Sequence, residues 1–326
     1  MSIARAQSLV VAGAALFMLG AWTPSVRAQS KVLPEVGYNY DEIETPRITG
    51  TAGAQRALSN SVSALFTNPA NMVASRVYHV GAFAQLWPQA NRQSYGAGAV
   101  DSLSSSQRLA GGLGATYNLQ DPEGLDRTWT DLRFALAFPV SDQFYIGAGG
   151  RHMWLDQNGY GPLGPSLASG GMEDEQIVKG FAFDAGVTLK PSKEFAIALV
   201  GNNLGPAGHG FQPTSVGGGL GFGNETVALE ADVVTDFVTW DETTWRAMVG
   251  AELLVADHFQ LRGGYRYDPA ADSHAPSVGL GYVDKAFSID ISVRHAIADQ
   301  GATAVVFGFV YHLESTGLNP TPGDTF

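Results

Sequence analysis

The chain has no cysteine among its 326 residues. Disulfides, thiolate metal sites and a lipid anchor on cysteine are therefore excluded. Basic residues are also scarce, with 19 lysines and arginines against 31 acids, so a large basic surface for nucleic acid is not expected. Beyond the N-terminal region no segment approaches ~18 uninterrupted apolar residues, and no membrane-spanning helix is predicted.

Motifs for catalysis and cofactors are equally scarce. The seven histidines form no His-Glu-x-x-His pair, which argues against a transition-metal site. "PTSVG" around Ser215 lacks the first glycine of a hydrolase nucleophile elbow, and "GGGLGFG" lacks the strand-turn-helix context of a phosphate loop. "MEDE", Met172 to Glu175, is either a solvated acidic loop or a weak site for a divalent cation. We predict neither an enzyme nor a bound cofactor.

Residues 1–28 have the build of a secretory signal peptide. Arg5 precedes an apolar run from Leu9 to Trp22, and the small residue Ala28 precedes Gln29. The run is shorter than the ~20 residues that span a bilayer, so we expect cleavage rather than an uncleaved anchor helix. Removing these residues removes two arginines and no acids, which changes the formal net charge from −12 to −14.

Segments of about ten residues with period-two alternation recur along the rest of the chain. In "FSIDISV", for example, hydrophobic residues occupy one face while Ser288, Asp290 and Ser292 occupy the other. Forty glycines and few charges also suit an all-β protein. The fourteen predicted strands lie near residues 76–87, 92–101, 107–118, 129–138, 143–154, 176–189, 194–201, 213–222, 225–235, 243–255, 258–267, 275–283, 286–296 and 302–313.

The connections between these strands tend to alternate between long and short from the third strand onward. A transmembrane antiparallel β-barrel has this parity, whereas a Greek-key sandwich has no reason to keep it. Tryptophans near segment ends fit an interfacial belt, namely Trp87, Trp129, Trp154, Trp240 and Trp245. We therefore predict a barrel over residues 76–313, preceded by a segment over 29–75 with a short helix and followed by a tail over 314–326.

Charged residues at polar-face positions are predicted to point into the barrel lumen. They are Arg133, Asp184, Glu230, Asp232, Arg246, Glu252, Arg262, Arg266, Asp290 and Arg294. Both signs are present, so these side chains either pair across a narrow lumen or set its selectivity.

A short helix directly before the first strand is predicted at "TNPA". Thr67 or Asn68 can cap free N–H groups, and Pro69 suits the first helical turn. From Arg76 the period is two, with Tyr78 starting the apolar face.

Three stretches resemble the superfamily of FadL-like and PorV-type outer-membrane barrels. They are "AQRALSNSVSALFTNPANMV" (54–73), "ALVGNNLGPAGHGFQPTSVGGGLGF" (198–222) and "VGAELLVADHFQLRGGYRYDPAADSHAPSVGLGY" (249–282). The resemblance implies a plug, or hatch, over residues 53–73 that includes Arg56, Asn68, Pro69 and Ala70, with Asn68 and Pro69 fixing the corner at the first strand. A simple helix cap without a gating role is the alternative. "LSNS" (58–61) departs from the small residues usual before Asn-Pro-Ala.

The last strand resembles the assembly signal of outer-membrane barrels at Gly308, Tyr311 and Leu313. This implies recognition by the barrel-assembly machinery. Val306 departs from the signal because a polar residue is usual two positions before the glycine.

The resemblance implies a location in the bacterial outer membrane, with its lipid as a partner, and two functions. The first is a PorV-like, non-enzymatic component of secretion, surface-assembly or gliding machinery that docks secreted or envelope proteins. The alternative is a FadL-like passive transporter of hydrophobic small molecules. The matched block at 249–282 and the modest mature length of about 298 residues, 326 less the first 28, favour docking.

Overall fold

The computed structural model of the protein describes residues 43–121, 126–156, 178–205, 212–239, 242–297 and 302–316. The predicted signal peptide, the "MEDE" loop, Trp240 and most of the C-terminal tail lie outside these ranges.

Fourteen antiparallel strands close into a barrel. Each strand pairs with its neighbours in sequence, and β1 closes the barrel on β14. The strands are β1 Tyr78–Trp87, β2 Arg92–Asp101, β3 Ala110–Gln120, β4 Arg127–Pro139, β5 Phe144–Asp156, β6 Val178–Leu189, β7 Phe195–Leu204, β8 Ser215–Gly223, β9 Val227–Asp236, β10 Thr244–Val255, β11 Phe259–Asp268, β12 Ser273–Val283, β13 Phe287–Ala296 and β14 Ala302–His312. The predicted all-β fold and strand number are confirmed.

The connections separate the two ends of the barrel. Those after β4, β6, β8, β10 and β12 are short and lie at the end where β1 begins, which we call the turn side. The ends of β5 and β6 that flank residues 157–177, and the ends of β7 and β8 that flank residues 205–214, lie at the opposite end of the barrel, which we call the loop side. The predicted tendency of long and short connections to alternate from the third strand onward is confirmed.

The two faces of the barrel wall differ as the alternation predicts. All fourteen strands contribute large apolar side chains to the exposed outer face, for example Val80 and Leu86 in β1. The inward positions of the same strand, Phe83 and Gln85, are buried. This apolar-out, polar-in pattern is that of transmembrane barrels.

Two of the predicted belt tryptophans point inward instead. Trp129 is 1% exposed, and the guanidinium of Arg92 lies 4.9 Å from its ring centre and 5.9 Å from that of Trp87. Cation–π contacts of this kind favour the lumen over the lipid interface for both rings. Position near a strand end is therefore not sufficient to place a tryptophan in an interfacial belt.

The wall is irregular between β6 and β7. Phe183 pairs with Leu204 and Ala185 with Gly201, so β7 carries one extra residue, as in a β-bulge. Asn203 has a φ of +53°, which asparagine tolerates better than most residues. This bulge is the physical reason why β7 extends to Leu204, three residues beyond its predicted end.

The segment before β1 forms two short α-helices and a 3₁₀ helix. They are α1 Pro46–Gly50, α2 Ser61–Thr67 and the 3₁₀ helix Pro69–Val73. The predicted cap is present, because Asn68 Oδ1 accepts the N–H of Ala70 at 3.1 Å, but the helix it begins is of the 3₁₀ type. Periodicity alone did not predict α1 or α2.

This segment lies inside the barrel. Its residues contact inward positions of β2, β3, β5, β6, β8, β10, β11, β12 and β14, and most of residues 43–73 are buried. We call residues 43–75 the plug segment. It fills the space at the middle and turn side of the lumen.

Candidate functional site

Inward glycines of the wall make room for the plug backbone. A β-carbon added at Gly147 in β5 would lie 2.5 Å from the carbonyl carbon of Pro69, and one added at Gly264 in β11 would lie 2.5 Å from that of Thr51. Real β-carbons do not approach backbone atoms this closely, so at these two wall positions only glycine leaves room for the plug backbone. The high glycine content is thus partly explained by the contact between plug and wall.

Two carboxylates of β9 bind the backbone of the plug directly. Glu230 accepts the N–H groups of Ala57 at 2.5 Å and Leu58 at 3.0 Å. Asp232 Oδ2 accepts those of Gln55 at 2.9 Å and Arg56 at 3.0 Å. Four consecutive backbone donors are therefore satisfied by two side chains that alternate onto the same face of one strand.

Side-chain ion pairs extend this contact. Arg56 Nη1 lies 3.2 Å from Asp232 Oδ2, and Arg47 binds Glu252 through Nη2 at 2.6 Å and Nε at 2.9 Å. Arg262 bridges from Glu252 to the carboxylate of Asp290.

A further ion pair joins the plug to β13, because Arg294 pairs with Glu44. We call the contacts of residues 44–58 with these wall charges the ionic interface. Its wall residues are Glu230, Asp232, Glu252, Arg262, Asp290 and Arg294.

The other half of the plug packs through apolar side chains. Val62, Leu65 and Phe66 of α2 and Met72 of the 3₁₀ helix are buried in one cluster with Phe83, Val100 and other residues of β1–β5. The rings of Phe66 and Phe83 meet edge to face, with centroids 5.7 Å apart. We call the contacts of residues 61–73 with β1–β5 the apolar interface.

Asn68 and Pro69 form a corner of the plug that contacts β5 and β6. Asn68 Nδ2 donates to Thr188 Oγ1 in β6 at 2.9 Å and to the carbonyl of Arg56 at 2.7 Å, and Pro69 and Ala70 lie against Gly147 in β5. These residues therefore hold the plug against β5 and β6. The link to β1 is made by residues 74–77, and a role of Asn68 and Pro69 in fixing the corner at the first strand stays a prediction.

The remaining predicted lumen charges also point inward. Arg133 Nη1 donates to the carbonyl of Phe66 at 3.3 Å and lies 4.0 Å from Asp184. Arg246 lies 3.9 Å from Asp236, and Arg266 is 5% exposed. The lumen charges thus pair with plug residues as well as with one another. Glu44, Arg47 and Gln55 were not predicted as site residues, because they stand in a segment without periodicity.

The predicted assembly residues have separate environments. A β-carbon at Gly308 would lie 2.6 Å from Pro46 Cγ, so this glycine admits the plug. Tyr311 is exposed on the outer face. Leu313 begins a 3₁₀ helix rather than ending the strand, because β14 ends at His312.

On the loop side of the plug, inward positions of β4–β6 carry buried apolar side chains. Trp129 pairs across strands with Leu155, and Met153 pairs with Gly180. Gln212 lies against Gly180 and is fully buried, and neither of its side-chain amide atoms has a hydrogen-bond partner among the described residues. Charged side chains lie between these apolar ones, because the inward residues Arg127, Asp131 and Arg151 are also buried, so this layer of the lumen is mixed in polarity.

The described residues contain no group of three or more histidine, cysteine, aspartate and glutamate side chains that could hold a metal ion. No helix among them is long and apolar enough to cross a membrane.

The closed fourteen-strand barrel places the chain in a class of architecture that known structures share. It is similar to the toluene transporter TbuX of Ralstonia pickettii, with a TM-score of 0.61, 14% identity, and coverage of 83% of this chain and 98% of that chain. No protein-family model and no curated protein matches the sequence.

Two further solved structures are similar. The monoaromatic hydrocarbon channel CymD has a TM-score of 0.65 and 14% identity, and the match covers 85% of this chain and 99% of that chain. The toluene transporter TodX of Pseudomonas putida has a TM-score of 0.59 and 15% identity, with coverage of 85% and 99%. At such identities the similarity shows the fold alone. These neighbours are FadL-type barrels, and a PorV-type relationship is not shown.

Proposed function

We propose that this protein is a passive transporter of hydrophobic small molecules across the bacterial outer membrane, with the plug segment as its gate. The observation that carries the proposal is the division of the plug into an ionic interface on β9–β13 and an apolar interface on β1–β5. The similarity of the barrel to hydrocarbon transporters supports the same function at the level of fold.

An apolar ligand can displace the plug side chains from the wall at the apolar interface. When a hydrocarbon replaces Leu65 or Phe66 against the wall, one apolar contact is exchanged for another and little surface becomes exposed to water. Separating the ionic interface would instead leave Arg47 without Glu252 and the carboxylates of β9 without the plug N–H groups in a buried site, which is costly. The gate therefore opens at β1–β5 and pivots on β9–β13.

The outer wall supports the proposed location. Its exposed apolar side chains would be covered by lipid in an outer membrane, where β-barrels cross with strands. The proposed path follows the apolar interface between the plug and β1–β5.

Docking of secreted or envelope proteins, the function that the sequence favours, finds no specific support among the described residues. The resemblance to PorV-type chains at 249–282 is largely explained by local structure. Gly250 and Gly264 admit the plug, and Glu252 and Arg262 bind Arg47 and Asp290. These positions face the lumen, where a docked protein would not reach them.

Uptake by cells that produce the chain tests the proposal. Labelled toluene and a polar solute of similar size, such as glycerol, would be supplied to a Gram-negative host without its own hydrocarbon transporters. We expect faster toluene uptake and unchanged glycerol uptake. Unchanged toluene uptake in cells whose outer membrane contains the folded, heat-modifiable barrel would contradict transport. Recovery of envelope proteins in stoichiometric amounts with that barrel would favour docking.

A further inference from the structure

Three polar side chains form a chain of hydrogen bonds at the turn side of the lumen. Oγ of Ser61 in α2 lies 2.6 Å from Nδ1 of His79 in β1, and Nε2 of the same imidazole lies 2.7 Å from Oε1 of Glu314. Glu314 stands in the 3₁₀ helix Leu313–Thr316, which follows β14. A hydroxyl, an imidazole and a carboxylate are thus joined in the order that nucleophilic catalysis by serine requires.

The carboxylate determines which imidazole nitrogen can act as a base. A carboxylate only accepts hydrogen bonds, so Nε2 of neutral His79 carries the hydrogen and Nδ1 is left to accept from the Ser61 hydroxyl. Oε2 of Glu314 accepts the N–H of Tyr78 at 3.1 Å, and the ring of His312 stacks on that of His79 with centroids 4.2 Å apart. Both contacts hold the imidazole in this orientation.

Ser61 has a backbone conformation that is uncommon for a residue with a side chain. Its φ is +53°, in the left-handed region that residues other than glycine rarely adopt. The serine of a hydrolase nucleophile elbow is likewise held in a strained turn before a helix, and the N–H of the next residue contributes to the oxyanion hole. Here the next residue is Val62, whose N–H has no acceptor among the described residues. This N–H is therefore free to bind an oxyanion.

Water and small molecules can reach the three side chains from the turn side. The side chains of His79 and Glu314 are 12% and 29% exposed, and Ser61 is partly exposed. Val62 and Val310 lie next to Gly81, the next inward residue of β1 after His79. They provide apolar surface beside the nucleophile on which an acyl chain can pack.

We propose that Ser61, His79 and Glu314 form a catalytic site that hydrolyses carboxylic esters with a short apolar acyl chain. Ser61 Oγ attacks the carbonyl carbon, and its proton passes to Nδ1 of His79. The carbon–oxygen bond to the alkoxide then breaks, and the alkoxide takes that proton and leaves as an alcohol. Water attacks the acyl-serine by the same route, which releases the carboxylic acid and restores Ser61.

Glu314 acts through His79 and is a positioning residue. No sequence motif indicates this site, because its members are separated by 18 and 235 residues in the chain. The proposed activity goes beyond transport and does not depend on it, since the three side chains meet at the turn side rather than along the proposed path.

Covalent labelling of the detergent-solubilised, folded barrel tests the nucleophile. A fluorophosphonate, which phosphonylates activated serines, should modify Ser61 in the folded protein but not in the heat-denatured chain, as located by mass spectrometry. Ser288→Ala is the matched control and should keep the label, because Ser288 is a buried inward serine near the turn-side end of β13 that bonds to no histidine among the described residues. If Ser61 were no more labelled in the folded barrel than in the denatured chain, the proposal would be overturned.

Hydrolysis of p-nitrophenyl butyrate provides a second, independent measurement. In heat-modifiable, folded barrels, Ser61→Ala should reduce the rate to that of buffer alone, and Ser288→Ala should leave it unchanged. Glu314→Gln should lower kcat by roughly 10²–10⁴-fold with little change in KM, because an amide can donate to Nε2 and so favour the tautomer with the hydrogen on Nδ1. Equal rates for the unmodified protein and Ser61→Ala would refute the site, and an unchanged kcat in Glu314→Gln would refute the role of the carboxylate.

Discussion

The plug is held on its two sides by different physical means. On β9–β13, Glu230 and Asp232 bind four backbone N–H groups, and Glu252 binds Arg47. On β1–β5, α2 and the 3₁₀ helix are held mainly by buried apolar side chains, with single polar contacts from His79 to Ser61 and from Arg133 to the carbonyl of Phe66. Directional contacts between buried charges resist separation, because each partner left alone is poorly solvated. Apolar contacts are non-directional, so any apolar molecule can replace them. A single segment can therefore be held by specific ionic contacts on one side and by replaceable apolar contacts on the other.

The largest expected effect comes from breaking the ionic interface. Asp232→Ala leaves Arg56 and two backbone N–H groups without their acceptor in a site where the two side chains are 8% and 0% exposed. We expect the free energy that holds the plug in the lumen to fall by about 3–5 kcal/mol, which is the usual cost of removing one partner of a buried ion pair. Trypsin should then cleave the folded barrel after Arg47 and Arg56 much faster.

An exposed ion pair serves as the control for that variant. Arg108 and Asp142 lie 2.7 Å apart, with side chains 39% and 91% exposed. Asp142→Ala should change neither the cleavage pattern nor stability by more than about 0.5 kcal/mol, since exposed pairs contribute little. Equal protection of Arg47 and Arg56 in Asp232→Ala and Asp142→Ala would show that the β9 carboxylates do not hold the plug.

A somewhat smaller effect is expected at the apolar interface. Leu65 is 4% exposed and packs against Gly112 and Gly114, so Leu65→Ala should destabilise by about 3 kcal/mol through loss of burial and the cavity left behind. Because the ionic interface is intact, trypsin sensitivity at Arg47 should stay low while toluene uptake rises. If Leu65→Ala became sensitive to trypsin at Arg47 without any gain in toluene uptake, the ionic and apolar interfaces would not have the different roles described here.

The smallest of the three effects is expected where the wall admits the plug. Gly147→Ala places a β-carbon 2.7 Å from Cα of Ala70, and the resulting overpacking should cost about 2 kcal/mol. Gly263→Ala is its control, because a β-carbon there has its nearest neighbour at 3.9 Å. If denaturant titrations gave the same unfolding midpoint for both variants, the absence of a side chain at Gly147 would not be needed to make room for the plug.

Much of the barrel could be predicted from the sequence because strand alternation is a local signal. The inward direction of Glu230 and Asp232 follows from period two alone, and so does the outward direction of Ile289 and Ile291. The bulge at Asn203 could not be predicted in this way, since it depends on the partners of that residue across the wall.

The contacts of the plug could not be predicted from periodicity. Residues 51–60 have neither helical nor strand periodicity, so nothing in them indicates that the N–H groups of Gln55 to Leu58 would face two carboxylates more than 170 residues away in the chain. Gly308 is an example in the barrel wall of a residue whose role could not be predicted from its own strand. Its position resembles an assembly signal, yet its lack of a side chain is explained by Pro46. In both cases the cause is a contact between segments distant in sequence.

The central claim, that the gate opens at the apolar interface and pivots on the ionic one, is tested most directly by two engineered disulfides. The chain has no cysteine of its own, so each introduced pair is unambiguous. Val62→Cys with Gly98→Cys joins α2 to β2, where a β-carbon at Gly98 lies 3.0 Å from Val62 Cγ1. Gly50→Cys with Ser292→Cys joins α1 to β13, where a β-carbon at Gly50 lies 2.8 Å from Ser292 Oγ. Both separations suit a disulfide after small adjustment.

Toluene uptake would be compared for the two oxidised proteins and again after reduction. We predict that the α2–β2 disulfide abolishes uptake, that reduction restores it, and that the α1–β13 disulfide leaves uptake near that of the unmodified chain. Loss of uptake with the α1–β13 disulfide alone, or continued uptake with α2 fixed to β2, would contradict the account.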